Sequence, residues 1–324
     1  MNRKDKKTVS ILVKVAVLIL ATSFIAYKLH NNQNLHNFKL LIRDLSPIRV
    51  YSVLGIIFLL MLVNWILEAM KWKFLVKRIE TISLWKAVES VFCGLTWAIF
   101  TPNRIGEYGG RVFFLSPRKR VFGAIAMGVG AVGQMVITNV LGAFAIFWFV
   151  WRFLHPAPWL TIVVFLSAAL YSSLFLLFYF SIKRLTTLIN KVRFLTKFRR
   201  FFMILAQYRR KHLIIIFNFC LARFIVFTSQ YYLIINMLIP SLPVFAMIMM
   251  IFILFFIQSA LPSLDLLDVG VRTMTATYFF SFITSQEVAV MAATACIWFV
   301  NLIVPAILGS AFVFKLNFFG TNRN

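Results

Sequence analysis

The sequence predicts an all-α, polytopic helical membrane protein, and three observations support this class. Of the 324 residues, 61% are hydrophobic and 13% are charged, whereas soluble domains contain roughly 45–50% and about 25%. Several apolar runs exceed the roughly 20 residues that cross a bilayer as a helix. The runs are continuously apolar, unlike the alternating strands of a membrane β-barrel. We therefore expect a single integral membrane domain of about seven to eight transmembrane helices, with one or two re-entrant or broken elements.

The apolar runs follow one another with only short polar segments between them. The first run follows a basic start and resembles a secretory signal, but its length and the presence of Lys14 favour a retained helix. In chain order the runs are Ile11 to Tyr27, Val50 to Met70, Leu84 to Phe100, Val121 to Trp151, Pro158 to Ser181, Leu213 to Leu238, Pro243 to Leu261, the less regular Pro262 to Phe282, and Val288 to Phe314.

The distribution of charge sets the predicted orientation. Lys and Arg number 34 against nine Asp and Glu. They lie mostly between apolar runs, as in cytoplasmic loops beside anionic headgroups, which argues against nucleic acid as a partner. Segment 182–212 is the most basic part of the chain, and we expect an amphipathic cytoplasmic loop there. The basic tail, residues 1–10, is predicted to lie on the same side, so that the N-terminus is cytoplasmic.

These two cytoplasmic segments require an even number of crossings between them, whereas five apolar runs intervene. We expect Leu84 to Phe100 to be the exception, because it reaches only about 25 Å as a helix and contains Lys86 and Glu89. It would form one arm of a re-entrant hairpin. The alternative is that Val121 to Trp151, which glycines interrupt, makes two short passes.

Polar residues at membrane depth are the candidate functional residues, because hydrocarbon makes them costly. The clearest cluster is segment 101–111, TPNRIGEYGGR. A proline ends the preceding run, three glycines permit unusual backbone shapes, and Glu107 lies between Arg104 and Arg111. Broken helices of this kind bind charged groups through their free backbone ends. The alternative is an ordinary interfacial turn with a solvated ion pair.

A second interruption lies in segment 261–280, LPSLDLLDVGVRTMTATYFF. A proline again ends an apolar run, and Arg272 follows Asp268 at the i, i+4 spacing that favours a helical ion pair. Gly106 and Gly270 are separated by about half of the chain. One interpretation is an internal repeat with a central site, and the other is coincidence.

Further polar residues lie inside the apolar runs. Arg223 needs a carboxylate, carbonyl groups, water or a phosphate if its guanidinium is buried. We expect that partner to be Asp265, Asp268 or a lipid headgroup. Gln134 and Thr138 lie four residues apart on one helical face, and their alternative role is to hydrogen-bond a neighbouring helix.

The sequence contains no catalytic signature. GxSxG, HExxH, a Walker A loop and paired Cys or His at metal spacing are all absent. We therefore expect no cofactor, no metal and no enzymatic activity. The cysteines are predicted to be small core residues, since each lies inside an apolar run: Cys93, Cys220 and Cys296.

The two motifs resemble those of the transmembrane region of lysylphosphatidylglycerol synthases and of the related stand-alone flippase-like proteins, over roughly Val50 to Phe314. The family's first motif is Thr-Pro-Gly-Arg-x-Gly-Glu, and Asn103 replaces its glycine. Its other positions are matched by Thr101, Pro102, Arg104, Gly106 and Glu107. The second motif is a proline and a glycine-rich stretch ending in Gly-Val-Arg-Glu, in which Thr273 replaces the glutamate and the preceding glycines are missing. It is otherwise matched by Pro262, Gly270, Val271 and Arg272.

The resemblance implies a lipid translocator of a bacterial or archaeal inner membrane. Its partners would be membrane lipids, as an anionic or amino-modified phospholipid, and a separate lipid-modifying enzyme, because bifunctional relatives carry a synthase domain that this chain lacks. The alternatives are a membrane-embedded enzyme acting on a lipid phosphate or carrier, and a non-transporting scaffold. The candidate binding or gating residues are Thr101, Pro102, Arg104, Gly106, Glu107, Arg111, Gln134, Arg223, Asp265, Asp268, Gly270 and Arg272.

Overall fold

The computed structural model describes residues 45–99, 101, 104–182, 207–260 and 268–313. These residues form helices joined by short connections. In chain order the helices are α1 Pro47–Val76, α2 Leu84–Ala98, α3 Ile105–Val112, α4 Arg120–Phe149, α5 Pro158–Phe180, α6 Arg210–Leu238, α7 Val244–Ala260, α8 Asp268–Phe280, α9 Glu287–Trp298 and α10 Val304–Val313. A π-helical turn, Val150–Leu154, extends α4, and a second one, Phe299–Ile303, joins α9 to α10.

Within the described ranges, five helical segments are long and apolar enough to cross a membrane, which confirms the predicted class. They are Pro47–Val76, Pro117–Leu154, Pro158–Phe180, Arg210–Leu238 and Glu287–Val313. The run Ile11 to Tyr27 and most of the basic segment 182–212 lie outside the described residues. The total of seven to eight crossings and the cytoplasmic position of the N-terminus therefore stay predictions.

Local sequence explains where several helices begin. Pro47 and Pro158 occupy the first turns of α1 and α5, where the fixed φ of proline suits a helix and its missing N–H is not needed. Ser83 caps α2, because its hydroxyl oxygen accepts a hydrogen bond from the Lys86 N–H at 3.1 Å. Such a cap satisfies one of the free N–H groups at a helix start.

Helix α4 is continuous, so the alternative of two short passes is wrong. The glycines that suggested a break provide room for neighbouring helices instead. A Cβ atom at Gly130 would lie 2.9 Å from a Leu75 methyl group, and one at Gly142 would overlap the Phe256 side chain. A helix tolerates glycine at a modest cost, and close packing of this kind compensates for it.

Helices α2 and α3, which we call the first pair, form an antiparallel helical hairpin. A Cβ atom at Gly110 would lie 2.5 Å from the Gly94 Cα, and one at Gly106 would overlap the Trp97 carbonyl oxygen. Only glycine permits so close a backbone approach. The run Leu84 to Phe100 therefore does supply one arm of a hairpin, as expected, while its re-entry into the membrane stays a prediction.

The described helices have the same order in two halves of the chain. In the first half the order is α1, the first pair and α4. In the second half the order is α6, then α7 and α8, which we call the second pair, and then α9 and α10. Helix α1 packs along α6, α2 against α10, and α4 against α7. The hydrogen bond from Arg49 near the start of α1 to the Asn236 carbonyl near the end of α6 makes these two helices antiparallel. The halves are therefore arranged as an inverted repeat.

The two largest of four hydrophobic clusters among the described residues fill most of the space between the helices. One surrounds Trp72 and joins α1, α2, α4 and α6, whereas the other surrounds Met250 and joins α6, α7 and α9. The cysteines are all buried without a disulfide, which confirms their prediction as core residues: Cys93, Cys220 and Cys296.

Candidate functional site

The first motif connects the two helices of the first pair through one capping side chain. The Thr101 hydroxyl oxygen accepts a hydrogen bond from the Gly106 N–H at 2.6 Å and donates to the last carbonyl groups of α2. Arg104 has a left-handed backbone with φ of 58°, which is uncommon for a residue other than glycine. Pro102 and Asn103 lie outside the described residues. Thr101 and Gly106 therefore fix where α3 begins.

Glu68 on α1 lies at the centre of the charged groups. Its carboxylate contacts the Lys71 ammonium at 2.6 Å, the Arg111 guanidinium at 2.5 Å, and the Arg223 guanidinium. The Glu68 side chain is only 6% exposed. A buried charge is strongly unfavourable unless it is paired and hydrogen-bonded, and three cations from three helices meet that requirement here.

Glu107 forms the ion pairs that the first motif predicts. Its carboxylate lies 3.1 Å from the Arg104 Nε and also contacts Arg111. The side chains of Glu107 and Arg111 are 16% and 3% exposed. This pair is therefore buried, and the alternative of a solvated ion pair is wrong. Arg111 joins Glu107 to Glu68, so that the charges form one continuous network.

The described partners of Arg223 lie on α1. Its guanidinium contacts Glu68, donates to the Asn64 Oδ1 at 3.0 Å, and lies over the Trp65 ring at 5.3 Å from the centroid. Asp265 and the side chain of Asp268, the partners that the sequence suggested, are outside the described part of the chain. Within the described residues, the carboxylate that contacts Arg223 is that of Glu68 on α1, and the expected contact with Asp265 or Asp268 stays a prediction.

The second motif contributes one cation to the same region. The Arg272 guanidinium donates to the Gln258 Oε1 at 2.7 Å, so this contact joins α8 to α7. Gly270 lies in the first turn of α8, and no atom of the described residues lies within 4 Å of the position that a Cβ would take. It does not line the site, whereas Arg272 does.

These side chains surround a cavity of about 450 Å³ between the two halves, which we call the charged cavity. Its described lining includes five cations, two carboxylates and a largely aromatic and aliphatic wall. The charged lining residues are Glu68, Lys71, Arg104, Glu107, Arg111, Arg223 and Arg272. Of the other predicted residues, Gln134 lines the cavity and Thr101 and Gly106 position α3 beside it. Among the described residues, no group of His, Cys, Asp and Glu could hold a metal ion.

The charged cavity reaches the protein surface beside the middle of α4. Ala131 and Met135 line the cavity and are exposed, Met135 at 45%. Ser259 near the end of α7 is also an exposed lining residue. Both α4 residues lie close to the midpoint of a segment long enough to span the membrane. The opening is therefore at the depth of the helix centre rather than at its ends.

Three amide side chains present unused hydrogen-bonding atoms in this part of the structure. Gln134 Oε1, Gln258 Nε2 and Asn301 Oδ1 are buried and have no hydrogen-bond partner among the described residues. All three residues line the charged cavity. A buried polar atom without a partner is unfavourable, so these atoms favour a polar occupant or water.

Sequence reasoning missed the residues from α1. Glu68 lies within the run Val50 to Met70, and Lys71 follows directly after that run. They were therefore interpreted only as part of a membrane span and of its basic flank. Asn64, Glu68 and Lys71 follow at the i, i+4, i+7 spacing of a single helical face. That spacing inside an apolar run was the available signal.

The comparison with known protein families agrees with the motifs. The family model for the lysylphosphatidylglycerol synthase TM region matches residues 11–309, which is nearly the whole chain. No curated protein and no solved structure matches the chain. The chain thus belongs to the family of the lysylphosphatidylglycerol synthase transmembrane region.

Proposed function

We propose that this protein is a lipid translocator, which moves a polar-headed lipid between the leaflets of its membrane. The observation that carries this proposal is the charged cavity opening at the middle of α4. A soluble substrate would approach from an aqueous end of the helices. An opening at membrane depth instead suits a lipid, whose headgroup enters while its acyl chains stay in the bilayer.

The lining supports a headgroup that contains an anion. Five cations against two carboxylates leave the described lining positive, and arginine binds phosphate and carboxylate oxygens through two parallel N–H groups. The unused amide atoms of Gln134, Gln258 and Asn301 could bond to hydroxyl or amino groups of the same headgroup. An anionic or amino-modified phospholipid has these features.

The inverted halves support movement between leaflets. Transporters with inverted repeats bind their substrate between the repeats and expose it alternately to each side as one repeat moves against the other. Here the charged cavity lies between α1, α3 and α4 of one half and α6, α7 and α8 of the other. We place the protein in a bacterial or archaeal inner membrane with its N-terminus in the cytoplasm.

The described carboxylates fit translocation better than catalysis. General acid–base chemistry needs a carboxyl group that can give or take a proton at the reacting atom. The oxygen atoms of Glu68 and Glu107 are instead occupied by hydrogen bonds from Arg111 and Arg223, so neither carboxylate is presented to a reacting atom. Their arrangement suits a site that binds charge.

Leaflet exchange in proteoliposomes tests the proposal. The purified protein is reconstituted with fluorescent phospholipids, and the fraction that an impermeant quencher reaches is followed over time. We expect exchange faster than in protein-free vesicles, and we expect Arg223→Leu to abolish it while Arg152→Leu, outside the cavity, keeps it. Absence of exchange with every phospholipid tested would overturn the proposal, and a new lipid product in the same vesicles would indicate an enzyme.

A further inference from the structure

Glu68 occupies the cations that an anionic headgroup would need. Lys71, Arg111 and Arg223 converge on its carboxylate, and all four side chains line the charged cavity. None is more than 10% exposed. A phosphate group entering this cavity offers the same kind of oxygen atoms to the same guanidinium forks. The carboxylate of Glu68 therefore takes the place of a ligand when the site is empty.

Among the described residues, the only other anion in direct contact with these three cations is Glu107, which contacts Arg111. The polar residues that α4 adds to the lining are Gln134 and Thr138, and the π-helical turn Phe299–Ile303 adds Asn301; none of these carries a charge, and α2 adds no lining residue. The charged or titratable groups that face Glu68 are Lys71 on α1, Glu107, Tyr108 and Arg111 on α3, and Cys220 and Arg223 on α6.

We propose that the phosphate of a lipid headgroup displaces the Glu68 carboxylate from Lys71, Arg111 and Arg223, and that Glu68 takes up one proton in this exchange. The inference rests on the proposed function, because it concerns the same cavity. It goes further by naming the lipid phosphate as the ligand and by stating that one proton is taken up when the lipid binds.

The proton follows from the burial of Glu68. A carboxylate that has lost its cations inside a poorly hydrated site is strongly unfavourable, and protonation removes its charge. The phosphodiester brings one negative charge and the proton brings one positive charge. The net charge of the occupied site therefore equals that of the empty site. A lipid would cross with a proton, and a proton gradient could drive its movement.

Calorimetry of the unaltered protein is the first test. Dioctanoyl phosphatidylglycerol is titrated into the protein in two buffers with different ionisation enthalpies, since its diester carries no titrating proton near neutral pH. We expect about one proton taken up per lipid bound, by proton linkage. Binding with no proton uptake would overturn the inference. Glu80→Gln, which removes a carboxylate outside the cavity, serves as the control and should behave as the parent does.

The pH dependence of binding is the second test. With one proton taken up, affinity for the lipid should rise about tenfold for each pH unit lowered. Glu68→Gln has no carboxylate to displace, so it should bind the lipid more tightly than the parent at pH 8 and with no pH dependence. Equal slopes in the parent and in Glu68→Gln would show that the proton goes elsewhere and would overturn the inference.

Two further probes identify the source of the phosphate. Dioctanoylglycerol has the same acyl chains without phosphate, and glycerophosphoglycerol has the same headgroup without acyl chains. We expect neither to reproduce the tight, proton-linked binding. If glycerophosphoglycerol bound as tightly as the lipid, the ligand would be a soluble phosphate ester, and the inference that it is a lipid would be overturned. Leaflet exchange without proton uptake would contradict this inference alone, whereas proton-linked binding without exchange would contradict only the translocator.

Discussion

The first and second pairs of short helices occupy corresponding places in the two halves, yet they are packed differently. In the first pair, Gly106 and Gly110 bring the two backbones together, and the Thr96 hydroxyl donates to the Ala306 carbonyl of α10 at 2.9 Å. In the second pair, no described residue packs within 4 Å of a Cβ at Gly270, and the Arg272 contact with Gln258 joins the helices. The first pair is a fixed wall of the charged cavity, and we expect the second pair to be the part that moves.

The largest expected effect tests the packing difference directly. In Gly106→Ala the new methyl group overlaps the Trp97 carbonyl oxygen, whereas in Gly270→Ala it meets no described atom within 4 Å. Overpacking against backbone should cost at least about 3 kcal/mol, so we expect Gly106→Ala to lose most of its folded yield in detergent. Gly270→Ala should be neutral or stabilised by up to about 1 kcal/mol, because alanine favours a helix. Equal melting temperatures for the two variants would contradict the difference in packing between the first and second pairs.

The next effect concerns the polar contacts of each pair. Glu107→Gln breaks a buried network and should cost about 3 kcal/mol, since Arg104 and Arg111 both lose a carboxylate partner. Gln258→Leu removes one contact with Arg272 and should cost about 1 kcal/mol. Thermal unfolding in detergent measures both, and Glu107→Gln combined with Arg104→Gln should recover part of the loss. A larger loss of stability in Gln258→Leu than in Glu107→Gln would indicate that the second pair, not the first, is the fixed one.

A third comparison uses one arginine from each half. Arg223→Lys keeps the charge but loses the fork that reaches both Glu68 and Asn64, so we expect a loss of about 2 kcal/mol and of most leaflet exchange. Arg272→Lys should change the melting temperature less, since a lysine ammonium can still donate a hydrogen bond to the Gln258 Oε1. Parental exchange in Arg223→Lys would show that a positive charge alone is sufficient at this position.

The smallest effect is a pH dependence at the outer edge of the first half. Burial raises the pKa of Glu80, but the Ser116 N–H, Lys86 and Lys119 outweigh it and hold the pKa below its usual range. Glu80 therefore contributes stability at neutral pH that is lost as the pH falls through its lowered folded pKa. The parent should lose about 0.5 kcal/mol more than Glu80→Gln between neutral pH and pH 3, as an ion pair with exposed lysines would. Parallel melting curves over that range would exclude this contribution.

The sequence predicted contacts within one motif and missed contacts between distant elements. Glu107, Arg104 and Arg111 lie within one helical turn or two, so their ion pairs follow from spacing alone. Arg223 is separated from Glu68 by 155 residues, and the partner depends on how α1 packs along α6. The cost of an arginine in hydrocarbon reveals that a partner exists without identifying it.

The dependence on distant neighbours also explains why a break in α4 was considered as an alternative. Its glycines suggested a broken segment because glycine weakens an isolated helix. In the structure Gly130 accommodates Leu75 of α1, so the meaning of that glycine depends on a neighbour that spacing along the chain does not reveal. The glycines of the first motif were expected to permit unusual backbone shapes, but they lie in the regular helix α3, where Gly106 and Gly110 allow close packing against α2.

The bond between Thr96 and Ala306 has a consequence for biosynthesis. These residues are 210 positions apart, so the ribosome completes α10 long after α2 has been made. During that interval α2 lacks the helix that later packs on it. A nascent chain that stalls before α10 therefore leaves the face of α2 that contains Thr96 without its partner helix.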